Sequence, residues 1–172
     1  MFLREVRLSD AREIAGIYNR CILHTTITFE KEPVSVESME NRIRELSLRA
    51  PYFVCEIDGH VAGYCYAHVW KGKEAYSRTL ETTVYVGEDY RRSGVGRALM
   101  ERLVSACREA GVHVLVACIT EGNEASIHLH ESLGFRKVSH FHEVGYKFGR
   151  WLDIEDYELL LGQVAIPVKI QP

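Results

Sequence analysis

An α/β domain, with a mixed sheet of about seven strands and helices on both faces, is the fold that this sequence predicts. Three observations carry it. Short β-type runs and amphipathic helical stretches follow in the order β, two helices, a run of strands, helix, strand, helix, strands. The pair Asp58-Gly59 joins two of the strand runs, as in a tight hairpin. Residues 112–119, VHVLVACI, are nearly all apolar, as in a central strand covered on both faces. At 172 residues, 47% of them apolar and 26% charged, the chain suits one domain with a large core. We take residues 1–161 as that domain and 162–172 as a surface extension.

Residues 2–8 (FLREVRL) alternate as a strand, and Ser9 is placed to cap a helix carrying Ile14, Ile17, Cys21 and Ile22 on one side. A polar loop, 25–33, is long enough to cover a site. Ser35 caps a second helix, which runs to about Leu48 before Pro51 stops it. Strands at 52–57 and 61–70 flank the Asp58-Gly59 turn. After the loop 71–77, residues 78–86 (RTLETTVYV) have the β-branched and aromatic composition of a strand. The clearest helix opens at Gly94, sets Val95, Leu99, Leu103, Ala106 and Ala110 on one stripe, and ends at Gly111. A short helix from Asn123 to Leu133 is stopped by Gly134, and strands near 135–141 and 151–161 complete the domain.

Charge narrows the function. Lysine and arginine number 21 against 24 acidic residues, a net charge of -3, so nucleic acid and anionic membranes are not expected partners. No apolar run is long enough to span a bilayer, and the charged N-terminus MFLREVRLSD does not suit a signal peptide, so we expect a cytoplasmic protein. The five cysteines (21, 55, 65, 107 and 118) are odd in number and lack a C-x-x-C pair, which points to reduced core residues, with a catalytic thiol as the lesser reading. His128 and His130, two apart on a helix, point to nearly opposite sides, and His140/His142, on one face of a strand, lack a cysteine or carboxylate at ligand spacing, so no metal is expected.

The informative run is 82–97, TTVYVGEDYRRSGVGR: a strand, a glycine-containing turn and the start of the long helix. Unpartnered N–H groups and the macrodipole at a helix N-terminus favour an anion, so a diphosphate can be held by backbone there. Arg91, Arg92 and Arg97 add cationic donors. A Walker loop would need Lys and then Ser or Thr after Gly96, where Arg97 and Ala98 stand. A dinucleotide fingerprint would need a small residue at Leu99 and a place after the first strand. A plain helix start with solvated arginines is the remaining alternative.

The wider pattern bears against that alternative. Arg91-Arg92-Ser93-Gly94-Val95-Gly96 resembles the R/Q-x-x-G-x-G/A pyrophosphate loop of the GCN5-related N-acetyltransferase (GNAT) superfamily. Asn123-Glu124-Ala125-Ser126 and Leu129-His130-Glu131-Ser132-Leu133-Gly134-Phe135 resemble its N-x-x-(A/S) and L-(Y/H)-E-x-L-G-(F/Y) elements. Three stretches resemble the phosphinothricin and methionine sulfoximine branch: Ala75-Tyr76 leading into residues 80–86, Leu129-His130-Glu131, and residues 145–153 (GYKFGRWLD). The likeness extends over about residues 2–161.

This resemblance implies a mostly antiparallel sheet whose fourth and fifth strands part to admit the pantetheine arm of acetyl-CoA, the co-substrate. Val84, Tyr85 and Val86 would pair with that arm, and Arg91, Arg92, Ser93, Gly94, Val95, Gly96 and Arg97 would hold the diphosphate. Asn123 and Ser132 would touch the arm. Glu81 is the implied general base, its bland alternative being an exposed carboxylate or a partner of Arg78. His130 is the second implied catalytic group, either donating to the leaving thiolate or relaying the amine proton; its alternative is a packed helix histidine. Implied acceptor contacts are Phe29 and Glu30 on the first loop and Lys73, Glu74, Ala75, Tyr76 and Arg78 before the fourth strand, with Lys73 or Arg78 meeting a carboxylate. Arg78 departs from the aromatic residue of some phosphinothricin enzymes. The expected acceptor is a small amino-acid-like amine, with a polyamine, an aminoglycoside, a protein N-terminus or a non-catalytic coenzyme A-binding module as rivals. A homodimer is implied by the same likeness.

Overall fold

The computed structural model describes residues 1–162. The proposed extension therefore lies, but for Gly162, outside the described residues. Among these, the strands are β1 (Phe2–Glu5), β2 (Tyr52–Ile57), β3 (His60–Val69), β4 (Thr79–Val86), β5 (Val114–Thr120), β6 (Arg136–Lys147) and β7 (Arg150–Leu160). The helices are α1 (Ala11–His24), α2 (Val36–Ser47), α3 (Val95–Glu109) and α4 (Glu124–Ser132). One seven-stranded sheet runs in the order β1-β2-β3-β4-β5-β7-β6. Its pairs are antiparallel except β4 with β5, so the mixed, mostly antiparallel α/β expectation holds.

Two layers of core explain the apolar runs. On one face Ile14, Tyr18 and Ile22 of α1 and Met39 and Ile43 of α2 meet Tyr52, Val54 and Tyr64. On the other, Val95, Leu99, Met100, Leu103 and Cys107 of α3 meet Phe53, Cys55, Cys65 and Leu115. Alternate residues of β2 thus enter opposite cores, and each large side chain buried there stabilises the fold by about 1.5–3 kcal/mol. Since α1 and α2 pack on β2, β3 and β4, the other end of that sheet face has no helix over it among the described residues.

Local rules account for most boundaries. Ser35 accepts a hydrogen bond from Ser38 N (3.1 Å) and caps α2. Asp58 and Gly59 both have positive φ, 50° and 81°, as the two-residue hairpin requires. Four expectations need correction. The first strand stops at Glu5, and a 3-10 turn, Leu8–Asp10, precedes α1. Asp10, not the exposed Ser9, organises that start, because its carboxylate accepts from Arg7 N and from both terminal nitrogens of Arg4. The apolar stripe of α3 ends at Cys107, since Ala110 is exposed. The sixth strand continues to Lys147 and turns at Phe148 and Gly149, so the GYKFGRWLD stretch is a hairpin.

That hairpin holds the loop between α1 and α2 in place. Lys147 is buried and donates to Thr28 O (2.7 Å), while Thr120 Oγ1 donates to Thr26 O (2.8 Å). The Phe29 ring lies where a side chain on Gly145 would stand, 2.1 Å from its Cβ position. Only a residue without Cβ leaves room for the ring.

Candidate active site

β4 and β5 pair at three positions only, Thr79 with Val114, Leu80 with Leu115 and Glu81 with Val116. Beyond them Thr82 Oγ1 donates to Val116 O (3.2 Å), and the strands then part. The opening is a cleft of about 850 Å³, walled by residues 81–86 of β4, 117–120 of β5, the start of α3, α4 and the loop after α1. The backbone of β4 between Thr83 and Val86 therefore faces the cleft with no strand among the described residues beside it on that side.

At one end of the cleft stands the N-terminus of α3. Gly94 caps it at φ 84°, and its carbonyl accepts from Ala98 N (3.0 Å). No side chain among the described residues caps this end, so the first-turn N–H groups remain available to an anion. Arg92, at φ 61°, and Gly94 turn the preceding backbone through left-handed positions, the geometry of an anion-binding concavity. That conformation costs Arg92 about 1–2 kcal/mol, as at sites where function requires strain. Gly96 is set between the walls: its Cβ would lie 3.4 Å from Leu129 and 3.5 Å from Val86. Arg91, Arg92 and Arg97 line this end, and Arg97 also reaches Glu101 (3.1 Å) and Ser132 Oγ (2.9 Å).

Glu81 lies where β4 and β5 separate. Strand register sets it opposite His68 of β3, with His68 Nε2 3.7 Å from its carboxylate. Burial raises its pKa, the effect of His68 lowers it, and Asp156 raises it again. Its partner is thus His68 rather than Arg78. Cys118 opens onto the same cleft, correcting its expected place in the core. Its thiol is pushed up to about 12, first by desolvation and then by Asp156 and Glu81, which disfavours the thiolate form a nucleophile needs.

His130 is buried on α4 with its ring edge-on to Phe135, centroids 5.0 Å apart. Its Nδ1 lies 2.8 Å from Ser126 O, which makes Nδ1 the N–H donor and leaves Nε2 with the lone pair. Burial holds its pKa below the ordinary value, with the Ser126 carbonyl opposing, which favours the neutral ring. Asn123 caps α4 by accepting from Ser126 N (3.4 Å), and its amide nitrogen remains a donor at the cleft wall.

The structure brings Phe29, Glu81, Val84, Tyr85, Val86, Arg91, Arg92, Gly94, Val95, Gly96, Arg97, Asn123 and His130 to the cleft. Other expected residues lie elsewhere. Ser93 donates to Tyr90 O in the turn before α3. Ser132 donates to Leu129 O and accepts from Arg97. Glu30 is held by both terminal nitrogens of Arg42 (2.7 and 3.1 Å). Lys73, Glu74, Ala75 and Arg78 are exposed on the segment before β4, outside the cleft wall, and Tyr76 packs edge-on to Trp70. His68 went unpredicted because strand register brings it to Glu81, and Asp156 because it acts on Glu81 from β7, across β5; a single sequence does not print either placement.

This geometry, an anion-binding helix start joined by an unpaired strand to a half-buried carboxylate, has close counterparts. The family model described as Acetyltransferase (GNAT) domain matches residues 3–155. The chain is 38% identical over 171 residues to the L-amino acid N-acyltransferase MnaT of Escherichia coli (strain K12), covering 97% of this chain and 98% of that one. It is 37% identical, with the same coverage, to the L-methionine sulfoximine/L-methionine sulfone acetyltransferase of Salmonella typhimurium. A solved structure of a Salmonella typhimurium acetyltransferase with its cofactor acetyl-CoA superposes with a TM-score of 0.94 at 36% identity, over 98% of each chain. Motif order, parted strands and whole-chain similarity agree, and the chain belongs to the GNAT family of acetyl-CoA-dependent N-acetyltransferases.

Proposed function

We propose that the protein acetylates the α-amine of a small amino-acid-like substrate of the methionine sulfoximine, methionine sulfone or phosphinothricin kind. The observation that carries this reading is the cleft itself, which runs along bare β4 backbone from the amides of α3 to Glu81. Relatives named for acylation of amino acids and of methionine sulfoximine support the acceptor class. Acetyl-CoA, when bound, supplies a thioester carbonyl open to attack by a neutral amine. The α3 amides with Arg91, Arg92 and Arg97 hold its diphosphate, Val84, Tyr85 and Val86 pair with the pantetheine arm, and Asn123 adds a donor.

Glu81 takes the proton of the incoming ammonium, directly or through one water. The Glu81 and Asp156 carboxylates draw the cationic amine to this end. Backbone N–H of Val84 or Tyr85 meets the negative charge that develops on the carbonyl oxygen. A C–N bond forms, the C–S bond breaks, and the sulfur leaves as thiolate, which must gain a proton. His130, neutral with Nε2 unprotonated, is suited to accept a proton and pass it on rather than to start as an acid. The transfer needs no metal in this scheme. Phe29 forms an acceptor wall, and a homodimer would cover the exposed apolar side chains of Phe141, Val144, Tyr146 and Trp151 on β6 and β7. We place the enzyme in the cytoplasm, with which four buried, unpaired cysteines agree.

A panel of amines assayed for coenzyme A release tests the function. Turnover with sulfoximine-type amino acids is expected. Turnover confined to polyamines or aminoglycosides would overturn the acceptor, and acetyl-CoA binding without release on any amine would favour a binding module. His68→Ala tests the carboxylate's setting: without the charge that lowers the Glu81 pKa, the acid limb of the kcat/KM profile should move to higher pH. An unmoved profile would remove His68 from the site.

A further inference from the structure

We propose that His140, His142 and Asp153 form a site for a divalent transition-metal ion, zinc above all, on the hairpin of β6 and β7. The sequence argued against a metal because the histidine pair had no carboxylate at ligand spacing. Folding provides one from the neighbouring strand. His140 Nε2 lies 3.2 Å and His142 Nδ1 2.8 Å from the same oxygen, Asp153 Oδ2. These three ligand atoms all fall within 4.8 Å of one another. Glu121 Oε1 lies 3.6 Å from His140 Nε2 but outside this group of three, so the fourth position falls to water. Ligands about 2.0–2.2 Å from a tetrahedral zinc ion stand roughly 3.3 Å apart, so closure around an ion asks for side-chain movements of about an ångström or less.

The backbone builds this arrangement. Register shifts between Phe141 and Gly145, and Glu143 takes φ 55°. This bulge aims the Glu143 N–H at Asp153 Oδ1 (2.8 Å), which fixes the carboxylate and turns Oδ2 toward the imidazoles. The imidazole centroids are only 4.3 Å apart, both against that one oxygen. Glu155 also lies near His140 and Glu121, but Lys137 and Tyr157 already engage its two oxygens. Two nitrogens with carboxylate oxygens suit zinc, copper or nickel better than magnesium or calcium. His142 and Glu121 are exposed, so an ion has an open approach. Glu121 N donates to Asp153 O (3.1 Å), which ties the ligand strand to the turn leading into α4. The site does not depend on the acetyl-transfer reading.

Zinc chloride titrated calorimetrically into tag-free protein tests it, with thermal unfolding as a second measurement. A single ion per chain is expected, with a higher melting temperature in zinc. The double variant His140→Ala/His142→Ala should bind at least about tenfold more weakly and lose the thermal gain. His128→Ala, exposed on α4 outside the cluster, should bind as the parent does. If the double variant does not fold, His142→Gln at the exposed ligand serves, and copper paramagnetic resonance should show loss of one nitrogen ligand. No saturable zinc binding by the parent protein, or equal binding by the histidine variants, overturns the proposal.

Discussion

Replacing Glu81 by glutamine is expected to lower turnover by about 10²–10⁴-fold with acetyl-CoA affinity unchanged. The side chain sits where β4 and β5 part, away from the α3 amides, so measured cofactor binding should not register the change. Folding should not suffer either. Burial raises the Glu81 pKa, so its charge in the folded state opposes stability once pH exceeds the unfolded carboxylate value. A neutral isostere removes that opposition. The parent rate should rise as pH climbs through the elevated Glu81 pKa, whereas the variant should lose this limb. A variant retaining both rate and limb would remove Glu81 from the role of base.

The second large effect is expected at Gly96. A methyl there meets Leu129 and Val86 at 3.4 and 3.5 Å, ordinary contact, so Gly96→Ala should weaken acetyl-CoA only slightly. Gly96→Phe has no such room. Its ring must occupy the space between β4 and α4, and the cofactor dissociation constant should rise about 100-fold, or about 2.8 kcal/mol. Calorimetry on the two variants checks this, with circular dichroism to confirm the helix content. Equal affinity in the phenylalanine variant would mean that the arm does not pass this point.

Local signals explain what the sequence disclosed. The Asp58-Gly59 turn, the Ser35 cap and the start of α3 at Gly94 are set by residues within a few positions of each other. Glu81 and His130 came from a family pattern, and the structure sets both on the cleft wall. The missed features depend on distant pairing. β3 and β4 are joined through a turn at Glu74–Tyr76, which does not declare that His68 will face Glu81. Residues 112–119 read as a strand covered on both faces, yet Cys118 emerges where the sheet extends past α1 and α2. Ser132, implied for the pantetheine arm, is engaged by Leu129 O and Arg97 and stands outside the cleft wall. Glu30 shares its loop with Phe29, and it is Arg42, twelve residues on, that holds its carboxylate outside the cleft wall.

The parting of β4 from β5 gives the protein a raw margin in the middle of its sheet rather than at the rim. Rims are commonly guarded by charge, proline or brevity, but a margin that must greet a ligand's amides cannot be guarded in those ways. Any extended polypeptide offers the same alternating donors and acceptors as pantetheine. Steady occupancy by the coenzyme would therefore also act as a chaperone, denying that seam to stray chains.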